Sequence, residues 1–157
     1  MLRCSSKDWI AGCLRKLENT LSILAELWAL KDGLLLAKQL NLENICVDMD
    51  AEFLVYFLSN SSVVNLSLEP LLSDSRNLMK MFLNCIVAHV YREANRFANK
   101  LVRLGVDLHS DHLILYNTPP VVVDLFDSDK AGRVCNKLTT RLGIPPNSMV
   151  ATFTFNL

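Results

Sequence analysis

The chain has 157 residues, of which 51% are hydrophobic, and this is enough to build one domain around a single core. Its 16 basic and 16 acidic side chains balance, and the sequence has no run of lysines or arginines. Composition alone therefore gives no sign that the protein binds a polyanion such as nucleic acid. The five cysteines are scattered without CxxC spacing, which argues against a disulfide framework and a zinc site. With no signal peptide and no apolar run of membrane-spanning length, we predict a soluble, intracellular protein with reduced thiols.

Strands and helices are predicted to alternate in the first part of the chain. Trp9 to Leu17 is predicted as a strand, and a long helix follows from about Ile23 to Leu40, with Ser22 as its N-cap. Asn44 to Asp50 has the apolar character of a short buried strand. Glu52 to Leu58 then has the pattern of a short amphipathic helix.

The alternation continues through the middle of the chain. Pro70 is well placed as the first residue of a helix that runs to Met81. The segment from Cys85 to Tyr91 is apolar and rich in β-branched residues, which predicts a second buried strand. Asn95 is predicted to cap a last helix that runs to Leu104. Strands that alternate with helices indicate an α/β layered fold.

The pattern weakens after residue 105. Pro119 and Pro120, followed by three valines, predict an extended segment with a short helix after it. No element is predicted from about Arg133 onward, except that Val150 to Phe155 is apolar and β-prone. That last segment is either a strand or an exposed, aggregation-prone stretch.

Glu26 is the most informative position of the long helix. On a helical wheel it lies within an apolar face, whereas Lys31, Asp32, Lys38 and Gln39 lie on the other side. A carboxylate on an apolar face must point into the protein, where an unpaired charge is costly. Either a basic side chain or a backbone amide satisfies it, or a divalent cation binds to it. The apolar face consists of Ile23, Ala29, Leu30, Gly33, Ala37 and Leu40.

Asp48 and Asp50 are the second candidate. They end a predicted buried strand and share one of its faces, since side chains alternate along a strand. Ligand sites in α/β sheets lie beyond the carboxyl ends of strands, which favours a binding role for Asp50. The alternative is that Asp50 caps the helix that begins near Glu52. The combination with Glu26 favours the metal-binding interpretation.

Four segments of the sequence together resemble a known family. They are Ala-Glu-Leu-Trp-Ala-Leu at residues 25–30, Asp-Gly-Leu at 32–34, Val-Asp-Met-Asp at 47–50, and His-Val-Tyr-Arg-Glu-Ala-Asn at 89–95. In order and spacing they resemble the ribonuclease H-like domain of plant retroelement-derived, reverse-transcriptase-like proteins, over roughly residues 7 to 131. The resemblance implies an α/β fold with a mixed sheet flanked by helices.

The resemblance also implies a chemistry and a set of site residues. In ribonuclease H folds four acidic residues hold two Mg²⁺ (or Mn²⁺) ions that drive hydrolysis of the RNA strand of an RNA–DNA hybrid. Glu26 and Asp50 match two of these metal ligands, and His89 matches the histidine that assists proton transfer. Asn99 matches a third acidic position. The predicted nucleic-acid contacts are Arg92, Arg96 and Lys100, on or near the last helix.

Two departures from the family pattern affect the expected activity. Asn99 is a neutral amide where the family has an aspartate, and the aspartate of the family's first strand is absent. Asp8 does not replace it, because it lies in a turn. We therefore expect a truncated domain at residues 1–106 that lacks the first strand and most of the second. Residues 107–132 would form a family-like extension and residues 133–157 a tail, in which Val150 to Phe155 is the only candidate to rebuild the missing strand.

Three functions remain open from the sequence. The first is a metal-dependent nuclease that acts on RNA–DNA hybrids. The second is a nucleic-acid-binding module without catalysis, and the third is a fragment without biochemical function. We interpret the chain as a degenerate ribonuclease H-like domain in which two of the four metal carboxylates are retained.

Overall fold

A computed structural model describes residues 1–4, 8–17, 20–60, 66–90, 111–120 and 123, together with the backbone of residues 150–154. These residues contain six strands and three helices. In chain order they are β1 Leu2–Arg3, β2 Trp9–Arg15, α1 Ser22–Gln39, β3 Asn44–Met49, α2 Glu52–Ser59, α3 Glu69–Met79, β4 Asn84–His89, β5 His112–Leu115 and β6 Val150–Thr154. The predicted helix from Asn95 to Leu104 lies outside the described residues.

The six strands form one mixed sheet in the order β4-β3-β6-β1-β2-β5. β3 is parallel to β4 on one side and to β6 on the other. β1 is antiparallel to β6 and to β2, and β2 is antiparallel to β5. The mixed sheet and its helices confirm the α/β fold class.

β6 fills the position that the missing first strand of the family would leave open. It lies between β3 and β1, so no gap separates the strands on either side of it. Along its length Val150–Thr154 is in register with Asn44 to Asp48 of β3, and Leu2 and Arg3 of β1 are opposite Phe153 and Thr152. The segment that the sequence analysis named as the candidate to rebuild the strand thus pairs with the strand that precedes Asp50.

The start of the chain forms the short strand that the family resemblance implied. β1 has two residues, and the turn after it is closed by the backbone amide of Cys4, which donates to the carbonyl of Asp8 at 3.0 Å. β2 follows at Trp9–Arg15 and pairs with β5 in the order Gly12 opposite Leu115 through Arg15 opposite His112. β5 was not predicted, because four residues carry too little periodicity.

α1 forms over the predicted segment, with a different N-terminal cap. Ser22 is the first helical residue, and Leu21 occupies the N-cap position without a side-chain hydrogen bond, so the prediction of Ser22 as the cap was wrong. The helix ends at Gln39, and Asn41 adopts a left-handed conformation with a φ of 54°. Asparagine tolerates this conformation well, and the turn leads the chain directly into β3.

The core joins the three helices to the sheet. α1 packs on β2 and on α3, while α2 packs on β3, β4 and α3. The largest fully buried side chains come from both layers: Leu2, Leu27, Leu30, Leu34, Met49, Leu54, Leu72, Val47 and Ser75. None of the helices in the described residues is long and apolar enough to cross a membrane. The four cysteines in this part of the chain are free thiols.

Candidate functional site

Acidic and imidazole side chains gather where the parallel strands end. Because β3, β4 and β6 run in the same direction, their carboxyl ends lie along one edge of the sheet, which we call the carboxyl edge. Asp48 and Asp50 belong to the end of β3, and His89 at the end of β4 is in register with Met49. The backbone of Thr154, at the end of β6, is opposite Asp48. Such an edge is the usual place for ligands in α/β sheets.

Asp50 follows β3 directly and lies one residue before the N-cap position of α2. That position is occupied by Ala51, which forms no side-chain capping hydrogen bond, so Asp50 is not the N-cap residue of this helix. The Oδ1 atom of Asp50 is buried and accepts no hydrogen bond, although the residue takes part in other interactions. Asp48 is half-buried, and the thiol of Cys46 lies 3.7 Å from its Oδ1 atom.

Glu26 is buried in α1, as the helical wheel predicted. Its relative exposure is 8%, and its Oε2 atom is buried without a hydrogen bond, while the residue has other interactions. The buried surface of α1 is wider than the predicted face, since Leu27 and Leu34 are completely buried as well. Burial of a carboxylate costs stability unless the group is paired.

His89 is exposed at the carboxyl edge. The backbone amide of the next residue, Val90, donates to the carbonyl of Met49 at 2.8 Å, which extends the pairing of β4 with β3 to the position just before Asp50. The structure therefore brings His89 to the same edge as Asp50, as the family pattern implies. The other predicted site residues, Asn99, Arg92, Arg96 and Lys100, lie outside the described residues.

The described residues do not form the two-ion centre that the family chemistry requires. Among them no group of three or more His, Cys, Asp and Glu side chains could hold a metal ion. The strand that lies beside β3, where the family has its first strand, has the sequence Val-Ala-Thr-Phe-Thr and brings no carboxylate. Glu26 and Asp50 are the two acidic residues in this part of the chain that the resemblance matches to metal ligands of the family.

An ion pair on the other side of α1 was missed by the sequence analysis. Asp32 was placed on the solvent face of the helix, but it is buried at 6% exposure. The guanidinium of Arg15, at the end of β2, binds both of its oxygens, with Nε to Oδ2 at 2.6 Å and Nη2 to Oδ1 at 2.7 Å. The hydrogen bond that Arg15 donates to Asp32 raises the pKa of the Arg15 guanidinium above its ordinary value. Helical periodicity assigns charged residues to the solvent-facing side, and it carries no information about a partner such as Arg15 on another element.

Trp28 completes this cluster on the helix surface. Its ring has the Arg15 guanidinium at 5.0 Å from its centroid and the Lys31 ammonium at 5.3 Å. Lys31 in turn forms a salt bridge of 2.6 Å with Asp74 of α3. Two cations close to one aromatic ring, each paired with a carboxylate, tie α1 to β2 and to α3.

Comparisons with known proteins agree with this architecture. A family model described as reverse transcriptase-like matches residues 2–105. Among solved structures, the chain is similar to the N-terminal ribonuclease H domain of Rv2228c from Mycobacterium tuberculosis, solved as a fusion with maltose-binding protein, at 27% sequence identity and a TM-score of 0.50. That alignment covers 54% of this chain and spans 62% of the other. No curated protein matches the sequence. The chain therefore belongs to the reverse transcriptase-like family and has a ribonuclease H-like fold.

Proposed function

We propose that this chain binds RNA–DNA hybrids at the carboxyl edge of β3 and β4 and has lost most or all of the metal-dependent cleavage of its family. The main support for this proposal is the amino-acid sequence of β6. It lies beside β3 in the centre of the sheet and contributes no acidic residue next to Asp48 and Asp50. The fold is retained while a charged group that catalysis needs is not.

Binding is supported by the residues around the carboxyl edge. Asp50 and His89 end adjacent parallel strands, and Arg92, Arg96 and Lys100 follow β4 in the sequence. Basic side chains of this kind are suited to contact the phosphates of a bound duplex. Phosphate contacts supply most of the affinity for nucleic acids and position the duplex without reading its sequence.

Weak or absent cleavage is supported by the charge of the site. Two ions held about 3.5–4 Å apart need several carboxylates to offset the cost of holding their charge. Here Asn99 is neutral, the position beside β3 has no acid, and only Glu26 and Asp50 remain of the family's ligands. We therefore propose that Mg²⁺ or Mn²⁺ binds weakly and that hybrid binding does not need it.

Fluorescence anisotropy with a labelled RNA–DNA hybrid tests the binding. We expect the affinity to fall linearly with the logarithm of the salt concentration. Arg96→Ala and Lys100→Ala should each weaken binding and lower the magnitude of the salt slope by about 1. Lys38→Ala is the matched control, because Lys38 is exposed in the last turn of α1, just before the chain enters β3 at its amino end. Equal effects of all three variants, or no binding at all, would contradict the proposal.

Cleavage of the same hybrid with Mg²⁺ or Mn²⁺ tests the loss of activity. We expect no product above background, and the same result after Asn99→Asp, because the charge beside β3 is still missing. Robust cleavage that disappears in Glu26→Gln would show that the remaining ligands suffice and would overturn this half of the proposal. Cleavage that persists in Glu26→Gln would instead indicate a contaminating nuclease, and the measurement would then be repeated on protein purified from a nuclease-deficient host.

A further inference from the structure

β4 is an edge strand of the sheet, and one row of its backbone groups is open. The backbone amides of Asn84 and Val90 donate to carbonyls of the β3 side, at 3.2 and 2.8 Å. Because these directions alternate along a strand, even-numbered residues face β3 and odd-numbered residues face outward. The N–H and C=O groups of Cys85 and Val87 thus point away from the sheet, and the described part of the chain provides no strand to pair with them.

β4 lacks the features that usually protect an edge strand. Edges are normally protected by charged side chains, by proline, by a bulge or by being very short. Residues 81–88, with the sequence Met-Phe-Leu-Asn-Cys-Ile-Val-Ala, include no charged residue and no proline. The ladder with β3 runs over six residues without a shift in register. The opposite edge strand, β5, has only four residues, so β4 is the edge that favours pairing with another strand.

Exposed apolar side chains accompany this edge. Met81 and Leu83 are exposed just before β4 begins. α2 packs on β4, and Phe53 and Tyr56 are exposed on this helix, whose single charged residue is Glu52. Apolar side chains that are grouped on a surface favour contact with another protein surface of the same character.

We propose that the chain forms a symmetric dimer in which β4 pairs with β4 of a second copy in antiparallel orientation. The two-fold axis passes beside Ile86, so Cys85 of each copy lies opposite Val87 of the other. In this register the outward N–H and C=O groups of both residues form four hydrogen bonds between the copies. The two sheets join into one, and the two copies of α2 lie on the same face of it, on either side of the axis.

Charge and symmetry favour a second copy as the occupant of this edge. The 16 basic and 16 acidic residues of the chain balance, so two copies do not repel each other through net charge. Identical strands in antiparallel orientation are self-complementary, and the pairing closes because it uses the same edge of both copies. The two carboxyl edges then lie at opposite ends of the dimer. Dimerisation therefore does not depend on hybrid binding.

Sedimentation velocity at several protein concentrations tests the dimer. We expect the full chain to sediment with twice its mass of 17.7 kDa and to dissociate on dilution. Val87→Pro removes an outward N–H group and leaves the donors to β3 in place, an arrangement that edge strands tolerate. We expect it to weaken dimerisation at least about tenfold, because each copy loses a donor and the ring obstructs the approach of the partner. Val87→Ala is the matched control: it also loses the valine side chain but keeps the N–H group, and it should stay dimeric.

Disulfide cross-linking tests the register without a proline variant. Residues that face each other at a non-hydrogen-bonded position of an antiparallel pair have Cα atoms about 4.5 Å apart, which a disulfide can bridge. We expect Ile86→Cys to give a covalent dimer on mild oxidation, with the link between the two copies of residue 86 identified by mass spectrometry. Ala88→Cys is the matched control. In this register Ala88 lies opposite Asn84 of the other copy, so two copies of residue 88 should not be linked.

Each outcome supports or overturns a stated part of the proposal. A monomer at all concentrations would overturn it, and so would a dimer that folded Val87→Pro leaves unchanged. Equal weakening by Val87→Ala and Val87→Pro would show that side-chain packing, and not the backbone edge, carries the association. A dimer that Val87→Pro disrupts but that forms no link at residue 86 would contradict the register. If Val87→Pro does not fold, the cross-link at residue 86 decides. A dimer that binds no hybrid would contradict the proposed function alone.

Discussion

The sheet has two halves on either side of β6, the β3–β4 half and the β1–β2–β5 half, and they use their polar groups in different ways. In the β1–β2–β5 half, Arg15 binds both oxygens of the buried Asp32 and holds β2 against α1. In the β3–β4 half the amide of Asn84 donates to the buried Asn44 at 2.7 Å, at the amino ends of the strands. At the opposite, carboxyl ends of that half lie acidic side chains and a histidine.

The two sets of polar groups differ in their hydrogen bonds. Asp32 and Asn44 have geometrically matched donors, and such pairs fix one element against another. Asp50 and Glu26 each have one buried carboxylate oxygen that accepts no hydrogen bond, and both residues take part in other interactions. This difference favours the proposal that Asp50 and Glu26 belong to a binding site.

The largest effect is expected from breaking the ion pair. Asp32→Asn removes the buried negative charge opposite Arg15, whose side chain is 31% exposed, and should lower the free energy of unfolding by about 2–3 kcal/mol through loss of the charge-assisted bidentate pair. Urea denaturation followed by the fluorescence of Trp9 and Trp28 measures this change. The matched control is Asp74→Asn, since Asp74 is 54% exposed and its pair with Lys31 should contribute under about 0.5 kcal/mol. A loss of similar size in both variants would show that burial of Asp32 is unimportant.

A smaller effect is expected in the β3–β4 half. Asn84→Ala leaves the buried Oδ1 atom of Asn44 without its donor, and we expect a loss of about 1–2 kcal/mol. Asn77→Ala, on the exposed face of α3, is the control and should stay within about 0.5 kcal/mol. If Asn84→Ala is as stable as the control, water replaces the amide and the pair does not hold β3 to β4.

The sequence allowed prediction of the elements whose signals are local. α1, β2 and β3 have a periodicity or an apolar run that needs no knowledge of distant residues, and Pro70 marked the start of α3 to within one residue. The burial of Glu26 was predicted for the same reason, because the helical wheel alone places this carboxylate within an apolar face. Asp50 required the additional knowledge of where strands end.

The features that were missed or left open depend on pairing across the chain. β5 was missed because it is short and becomes a strand only beside β2. Asp32 is buried because Arg15 reaches it from a strand that precedes it by 17 residues, which helical periodicity does not register. Val150 to Phe155 was left open between a strand and an exposed stretch, because its sequence does not show that β3 offers it a partner.

The pH dependence of stability provides a third test, in the β3–β4 half. Burial raises the pKa of the Cys85 thiol from 9.0 to about 12. The folded chain thus keeps a proton that the unfolded chain releases, so this contribution is complete below pH 9 and is lost as the pH rises towards 12. Relative to Cys85→Ala, the natural chain should lose about 1 kcal/mol between pH 9 and pH 10. Parallel curves for the two proteins would show that the thiol is accessible to solvent in β4.

The smallest effect on stability is expected from Glu26→Gln, and this result would separate the two uses of a buried carboxylate on the same helix. Glutamine keeps the shape of the side chain and an oxygen that accepts hydrogen bonds, while it removes the cost of burying a charge, so we expect a change within about 1 kcal/mol, in either direction. Asp32→Asn, six residues further along α1, is the matched comparison. There the same change of acid to amide leaves the Arg15 guanidinium without its carboxylate partner. A loss from Glu26→Gln as large as that from Asp32→Asn would mean that Glu26 is a structural residue with a matched cation. Hybrid binding is measured in parallel, in the presence and absence of Mg²⁺. Near-equal stability of Glu26→Gln and the natural chain would indicate that Glu26 serves its site and not the fold, because burial of its charge then contributes nothing to stability.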